Sequence, residues 1–244
     1  TDYSAFCGNW PFHSLAYNDI ESLKKLHDKH GITDAYISSF EAIFYTDTFS
    51  ADCELAKKLS LFPNYRHAIC VNPKLDNWRA NLDYALKTID VAAVRIYPCI
   101  HAYSLADDCA LELAKTLSGK KIPLLVSAYL VDPRLAHMVP TRALTTDECA
   151  KFMKNIDDIN VVFCGMKSVE IINLAKINDS AFFDISGLRD SCFLIEKLSE
   201  NGLSGRIVFG SMAPLLSISA SLTQLTLAEV PDEVKQSIRK GIAL

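Results

Sequence analysis

Basic charge is scarce in this chain: 25 Lys and Arg are set against 29 Asp and Glu, for a formal net charge of −4. With no positive field to gather phosphates, nucleic acid is not expected as a partner. No run of 18 apolar residues occurs, so neither a transmembrane span nor a membrane partner is expected. The opening Thr1-Asp2-Tyr3-Ser4 has no basic head and no apolar core, so no signal peptide is expected there. Because the chain opens on Thr1 rather than Met, a trimmed leader stays open. Also absent are a G-x-S-x-G elbow, a G-x-x-x-x-G-K-[ST] phosphate loop and an H-E-x-x-H helix. Close cysteine pairs are missing too. The eight cysteines (Cys7, Cys53, Cys70, Cys99, Cys109, Cys149, Cys164 and Cys192) are scattered with no C-x-x-C, the wrong pattern for a zinc knuckle or a compact disulfide scaffold. Reduced thiols in a cytoplasmic protein are the expectation. Cys7, Cys70 and Cys164 end apolar runs, where a thiol behaves as a small hydrophobe.

What is present is a folded-protein composition, 50% hydrophobic and 22% charged over 244 residues, enough for one large core. Strand-like apolar runs recur at 3–7, 35–38, 67–71, 91–96, 123–126, 161–164, 181–185 and 207–209. Between them lie helical patterns at 18–30, 50–59, 77–89, 107–117, 146–156, 168–175, 189–199 and 215–227, with a last helix from 231. Asn18 or Asp19 suits the first cap and Gly31 the first stop. Gly119 is the expected stop of the fourth helix, Pro214 the expected opener of the helix from 215, and Pro231 sits in the last helix's first turn. Thr146-Asp147-Glu148 gives an acidic first turn that suits the helix dipole. This alternation predicts a parallel α/β fold, and its uneven repeat fits a (β/α)8 TIM-type barrel in one domain over residues 1–244. An open doubly wound sheet is the alternative, but Cys7-Gly-Asn-Trp-Pro11 carries no glycine fingerprint. The long connections 40–48 and 129–145 are where a barrel would build a pocket.

The last strand, with β-branched Ile207 and Val208, runs into Gly210-Ser211-Met212. In a barrel those residues form the C-terminal lip, where chemistry is kept. A thioether at Met212 neither abstracts a proton nor holds a hard metal ion well.

Several patches follow one another in order: Gly31-Ile-Thr-Asp-Ala-Tyr-Ile-Ser-Ser39, Cys70-Val-Asn-Pro73, Ala93-Val-Arg-Ile-Tyr-Pro98, Asn160-Val-Val-Phe-Cys-Gly165, Phe183-Asp-Ile-Ser-Gly187 and Ile207-Val-Phe-Gly-Ser211. Together they resemble the amidohydrolase-related superfamily, in its amidohydrolase type 2 branch of metal-dependent hydrolases. The resemblance implies a barrel and a metal held by His-x-His after the first strand, a ligand after the fifth, His after the sixth and Asp after the eighth. This chain departs at each place, reading Cys7-Gly-Asn-Trp-Pro-Phe12, Ser127, Cys164-Gly165 and Gly210-Ser-Met212. An open catalytic metal site needs at least three N, O or S donors. No metal and no other cofactor is therefore expected.

Polar residues still gather at the predicted strand ends. Alternation with Val94 and Ile96 turns Arg95 into the barrel, where it needs an anionic partner: Asp184 in a structural pair, or a bound anion. Asp184, between apolar neighbours in the seventh strand, is a paired structural carboxylate or a tuned general base. His101 is a candidate acid–base group or a hydrogen-bonded loop histidine. Substrate-binding candidates are Asn9, Trp10, Arg95, Tyr97, Tyr103, Arg134 and Cys164, with Asp132-Pro-Arg134 resembling an Asp-x-Arg segment of the family branch. For these the plain readings are packing for Asn9 and Trp10, a loop-ordering ion pair for Arg134 and an inert thiol for Cys164. Two functions are compatible with this set: a metal-free barrel that binds or turns over a small anionic carboxylate, using His101 or Asp184 for hydrolysis or decarboxylation, or a non-catalytic binding or assembly protein. A metalloenzyme with ligands moved to His13, His101 and His137 is the third. A homo-oligomer stays open on the sequence.

Overall fold

The computed structural model describes residues 1–139, 141–186 and 193–243. Eight parallel strands run in chain order around a barrel: β1 (Asp2–Cys7), β2 (Ala35–Ser39), β3 (Tyr65–Cys70), β4 (Val91–Ile96), β5 (Leu124–Ser127), β6 (Val161–Cys164), β7 (Phe182–Asp184) and β8 (Ile207–Val208). The helices are α1 (Ile20–Lys29), α2 (Glu41–Phe44), α3 (Thr48–Leu59), α4 (Trp78–Thr88), α5 (Asp108–Lys120), α6 (Thr146–Lys154), α7 (Ser168–Ala175), α8 (Leu194–Glu200), α9 (Ile218–Leu227) and α10 (Asp232–Lys240). This is the (β/α)8 barrel that the sequence pattern predicts. Among the described residues no helix is long and apolar enough to cross a membrane.

Alternation along each strand sorts the side chains into two sets. Outward residues such as Ala5, Ile37, Ile69, Val94, Val126 and Phe163 pack under the helices in the main core. Inward residues Tyr3, Tyr36, Ala68, Ala93, Leu125, Val162, Cys164 and Val208 fill the lower lumen. β1 breaks the regular pairing at one point. Asp2 pairs Ala35 and Ala5 pairs Ile37, so Tyr3 and Ser4 together oppose Tyr36 in a β-bulge. The bulge brings the Ser4 hydroxyl to the far side of the closure, where it accepts from the Met212 amide at 3.2 Å.

Some boundaries differ from expectation, each for a local reason. Gly119 does not stop α5; the helix runs to Lys120, and Lys121 takes the left-handed conformation (φ 56°) so that the Ile122 amide can return to the Leu117 carbonyl. Pro214 does not open α9, which starts at Ile218, because Leu215 and Leu216 pack over the barrel end instead. The connection over 40–48 is not a bare loop, since it holds α2. The predicted helix over 189–199 begins outside the described residues, as does Cys192, and its described part is α8.

β8 is two residues long, so side chains complete the closure onto β1. Tyr3 N donates to the Phe209 carbonyl at 2.9 Å and Phe6 N to the Ala213 carbonyl at 2.8 Å. The buried Asp2 carboxylate accepts from the amides of Ser4 and Ser211, each at 3.0 Å, and from the Ser211 hydroxyl. His27 Nε2 stands 3.5 Å from its Oδ2. Burial pushes this carboxyl up, but His27, Ser211 and Ser4 outweigh it and hold it below its ordinary value. Such a group contributes stability above its unfolded pKa, and loses that contribution as pH falls through the lowered folded value. Replacing Asp2 with Ala is expected to cost about 3–5 kcal/mol and to flatten the acid limb of the urea midpoint plotted against pH. A variant whose midpoints follow the parent at every pH would remove Asp2 from this role.

Candidate functional site

The C-terminal end of the barrel is where a site is expected, and it is filled. Trp10 from the β1–α1 loop packs edge-on against Phe12, Phe40 and Phe44, with ring centroids 5.3, 5.2 and 5.4 Å away. Beneath it Phe6 stacks on Phe40 at 4.7 Å. Leu130, Val131 and Val139 from the β5–α6 connection and Met212 from the β8 lip complete a buried apolar cluster with Cys70 and Tyr97. Trp10 is 8% exposed and Met212 1%. Met212 has a left-handed backbone (φ 52°), and its Sδ-methyl lies where a Cβ on Gly165 would approach to 2.7 Å.

Carboxylates hold this cap in place. Glu41 Oε1 accepts from Asn9 N at 2.6 Å and Asn9 Nδ2 at 3.2 Å, and Oε2 accepts from Ser39 Oγ at 3.0 Å. That cradle explains Gly8 (φ 108°), because a Cβ there would lie 1.8 Å from Glu41 Oε2. On the other side Arg142 grips Glu148 through two nitrogens, at 2.8 and 2.7 Å, and also donates to the Tyr103 carbonyl. Glu148 accepts further from Ser104 Oγ at 3.0 Å and Leu105 N at 2.9 Å, so it ties the β5–α6 strap to the β4–α5 loop. Sequence reading missed Glu41, Arg142 and Glu148 as site-shaping residues. For Glu148 the signal was present: Thr145-x-x-Glu148 is a capping-box spacing, and the box forms. Glu41 had none, since its partners come together only through the β1–β2 pairing.

The residues singled out from sequence fall into separate places. Arg95 turns into the lumen as alternation predicts, completely buried, with its Cζ 4.9 Å from the Phe6 ring centroid and one nitrogen donating to the Tyr3 carbonyl. It makes no ion pair with Asp184, which corrects the expected structural pair. Asp184 has its own donors: Gly165 N at 2.8 Å and Ser186 N at 3.2 Å on Oδ1, and Ser186 Oγ at 2.6 Å on Oδ2. Burial pushes the Asp184 carboxyl up by more than Ser186, Gly165, Ser4 and the charge of Arg95 pull it down. Gly210 leaves room for it, since a Cβ there would come within 2.2 Å of Asp184 Oδ2.

Tyr97 lies in the lumen under the cap, and burial raises its hydroxyl pKa. His101 Nε2 lies 2.8 Å from the Ile43 carbonyl, and burial lowers the imidazole pKa. A carbonyl can only accept, so Nε2 carries the proton. Tyr103 is buried in the main core, with its ring stacked on His101 at 6.5 Å. Arg134 is exposed and paired with Asp132 at 3.0 and 2.7 Å. Asn9 is exposed and serves Glu41, and its Oδ1 accepts from Asn18 Nδ2 at 3.0 Å. The Cys164 thiol is buried in the lumen, where burial pushes its pKa well up.

The metal-ligand positions implied by the family resemblance hold Ser127, Cys164 and Met212 at the ends of β5, β6 and β8. They offer a hydroxyl, a protonated thiol and a thioether. His13 and His137 are exposed while His101 is committed to Ile43. Among the described residues, no three His, Cys, Asp or Glu side chains converge as a metal would need. The residues present do not fit the ion.

No family model matches the sequence, and no curated protein matches it. Solved structures do match the fold. 2,6-Dihydroxybenzoate decarboxylase from Rhizobium superposes with a TM-score of 0.73 at 12% identity, over 97% of this chain and 95% of that one. A dihydroxybenzoic acid decarboxylase from Polaromonas sp. JS666, with bound manganese and 2-nitroresorcinol, gives 0.72 at 14% identity, over 97% and 93%. 5-Carboxyvanillate decarboxylase from Sphingomonas paucimobilis gives 0.71 at 11% identity, over 93% and 82%. At these identities the likeness establishes a shared barrel.

The Glu148 latch makes a pH-dependent prediction. Burial pushes this carboxyl up, but Arg142 and the amides of Leu105 and Thr145 bring it down to about 2 from an ordinary 4.5. Its contribution is therefore complete above pH 4.5 and disappears as pH falls toward 2. The stability gap between the parent and Glu148→Gln, read from urea midpoints, is expected to be constant near neutrality and to close over that acid window. A gap that persists at pH 2 would show that Glu148 acts by shape alone.

Proposed function

We propose that this chain keeps an amidohydrolase-type barrel without metal-dependent hydrolysis or decarboxylation, and works as a non-catalytic binding or assembly scaffold. The observation that carries this reading is the packed cap: apolar side chains from the β1, β2, β5 and β8 ends meet over the lumen where a substrate would enter. The donor set beneath supports it. A hydrolytic ion works by bringing the pKa of its bound water to about 7, and the hydroxyl, thiol and thioether at these strand ends are poor holders of such an ion.

The rival reading is a metal-free site for a small carboxylate gripped by Arg95 and Tyr97, with His101 or Asp184 moving a proton. The Asp184 oxygens are committed to Gly165 and Ser186, and His101 Nε2 to the Ile43 carbonyl, with His101 Nδ1 buried rather than open to a substrate. Arg95 lies under the cap rather than in an open cleft.

Two measurements test the reading. A residue of an open pocket contributes little to folding, whereas core packing is expensive to remove. Trp10→Ala is expected to cost about 3–5 kcal/mol, as a buried aromatic in a core does. Protein purified without chelator is expected to hold no stoichiometric manganese or zinc, and to release no CO2 from 2,6-dihydroxybenzoate or 5-carboxyvanillate when either metal is supplied. One equivalent of metal together with turnover would overturn the proposal.

A further inference from the structure

A cleft of about 780 Å³ opens beside the β1–β8 seam, between the turn that leads from α1 into β2 and the helices α9 and α10. Thr1 and residues 31–34 precede β1 and β2, so the cleft lies at the N-terminal end of the barrel, opposite the cap. Its volume is in the range of sites that hold small organic ligands. Backbone hydrogen bonds fix its walls. The Phe209 amide donates to the Ile238 carbonyl at 3.2 Å and holds α10 against the barrel. On the facing turn Ile32 N returns to the His27 carbonyl at 3.0 Å, and Asp2 N donates to the Asp34 carbonyl at 2.9 Å. Lys235 Nζ donates to the Thr226 carbonyl at 3.0 Å and ties α10 to α9. A receptor built before its ligand arrives loses less on binding.

The lining combines apolar and basic side chains. Ile32, Phe209 and the half-buried Leu222 supply the apolar part, and Arg239, Lys240 and His30 the basic part. Among the described residues no carboxylate pairs with Arg239 or Lys240, and the guanidinium has only a long contact, from Nη2 to Thr226 Oγ1 at 3.5 Å. Asp34 is the only carboxylate among the lining residues. The Thr33 hydroxyl donates to it, and the Thr1 amino group and Arg66 lie within reach of its charge. The uncommitted charge of the cleft is therefore positive, in a chain whose net charge is −4. A wholly polar anion would leave the apolar lining in water, and a neutral ligand would leave the cations unused. The cleft matches a molecule that is apolar at one end and anionic at the other.

We propose that this cleft binds a small organic carboxylate with an apolar body, its ring or chain on Ile32, Phe209 and Leu222 and its carboxylate on Arg239 and Lys240. A guanidinium can donate two parallel N–H bonds to the two oxygens of a carboxylate, and an ammonium adds a mobile point charge. The site is separate from the capped end and stands whether or not that end is catalytic.

Titration calorimetry on the whole chain tests this, with 2-naphthoate and octanoate as probes. The neutral and cationic counterparts are 2-naphthylmethanol and 2-naphthylmethylammonium. One saturable site is expected for at least one carboxylate, with several-fold weaker binding of the alcohol and none of the ammonium. Added salt is expected to weaken the carboxylate and leave the alcohol unchanged. Arg239→Gln combined with Lys240→Gln changes two exposed side chains, and is expected to bring the carboxylate down to the affinity of the alcohol. Nuclear Overhauser contacts from the bound probe to the Ile32 and Leu222 methyl groups are expected to locate it. A ring accepted and a chain refused, or the reverse, identifies the body and supports the proposal either way. The proposal is overturned if neither carboxylate saturates, if acid and alcohol bind equally, if the double variant binds as the parent does, or if the contacts fall on Trp10 and the cap. Metal content and CO2 release, which test the reading of the capped end, do not depend on any of these results.

Discussion

A buried carboxylate reinforces the closure of this barrel, beside two backbone hydrogen bonds from β1. β8 is too short to zip onto β1 by a ladder, so Asp2 takes up the Ser211 amide and hydroxyl while it holds the Ser4 amide within its own strand. The arrangement of the barrel mouth depends on that junction. It fixes the β1 bulge, the bulge presents the Ser4 hydroxyl to Met212 N, and Met212 is thereby placed with its side chain under the cap. A buried carboxylate that accepts several N–H and O–H donors is a strong positional constraint because leaving any of those donors unmet is costly. The closure is thus polar and directional where the rest of the core is apolar and forgiving.

The same chemistry recurs around the barrel end. Glu41 gathers Asn9 and Ser39, Asp52 holds the Cys70 amide at 2.9 Å and His67 Nε2 at 3.2 Å, Glu148 gathers the β4–α5 loop, and Asp184 holds Gly165 and Ser186. Carboxylates at the strand ends of a barrel are the usual raw material of a metal or acid–base site. Here each is engaged by neighbouring donors: Glu41 and Glu148 join one connecting segment to another, Asp52 ties α3 to β3, and Asp184 ties β7 to the end of β6. Their combined effect is to position loops whose apolar side chains then pack over the lumen. Polar anchoring comes first, and the hydrophobic cap is its consequence.

The fold was legible because its signals are local and repeated. Period-2 runs, helix stops such as Gly31 and the unbroken order of strands survive averaging, so a barrel could be read without any contact being known. Alternation around Arg95 likewise gave its direction correctly. The site was less legible, because its defining facts are long-range. Whether Arg95 meets Asp184 depends on side-chain reach across the lumen, and the donors that saturate Asp184 come from β6, from Ser186 and from the bulged Ser4. Gly8 looks like an ordinary turn glycine until Glu41, on the next strand's far end, is brought against it. Gly119 carried a stop signal that tertiary demand overrode: the buried Ile122 sets where the chain must turn, and Lys121 accepts the left-handed conformation.

Cap and lumen make opposite demands. An apolar lid is stable only if water is excluded, yet excluding water is what makes the unpaired Nε and Nη1 groups of Arg95 expensive. Burial favours the protonated forms of Asp184, Cys164 and Tyr97 below the lid, which limits further buried charge there. Replacing Arg95 by an apolar residue would satisfy the lid equally well, so the guanidinium is not explained by packing. Its Nη2 contact to the Tyr3 carbonyl connects it to the bulged segment of β1, where the closure is made. The charge therefore sits where it can hold the bulge from inside while Asp2 holds it at the seam, so the junction is clamped from both faces of the sheet.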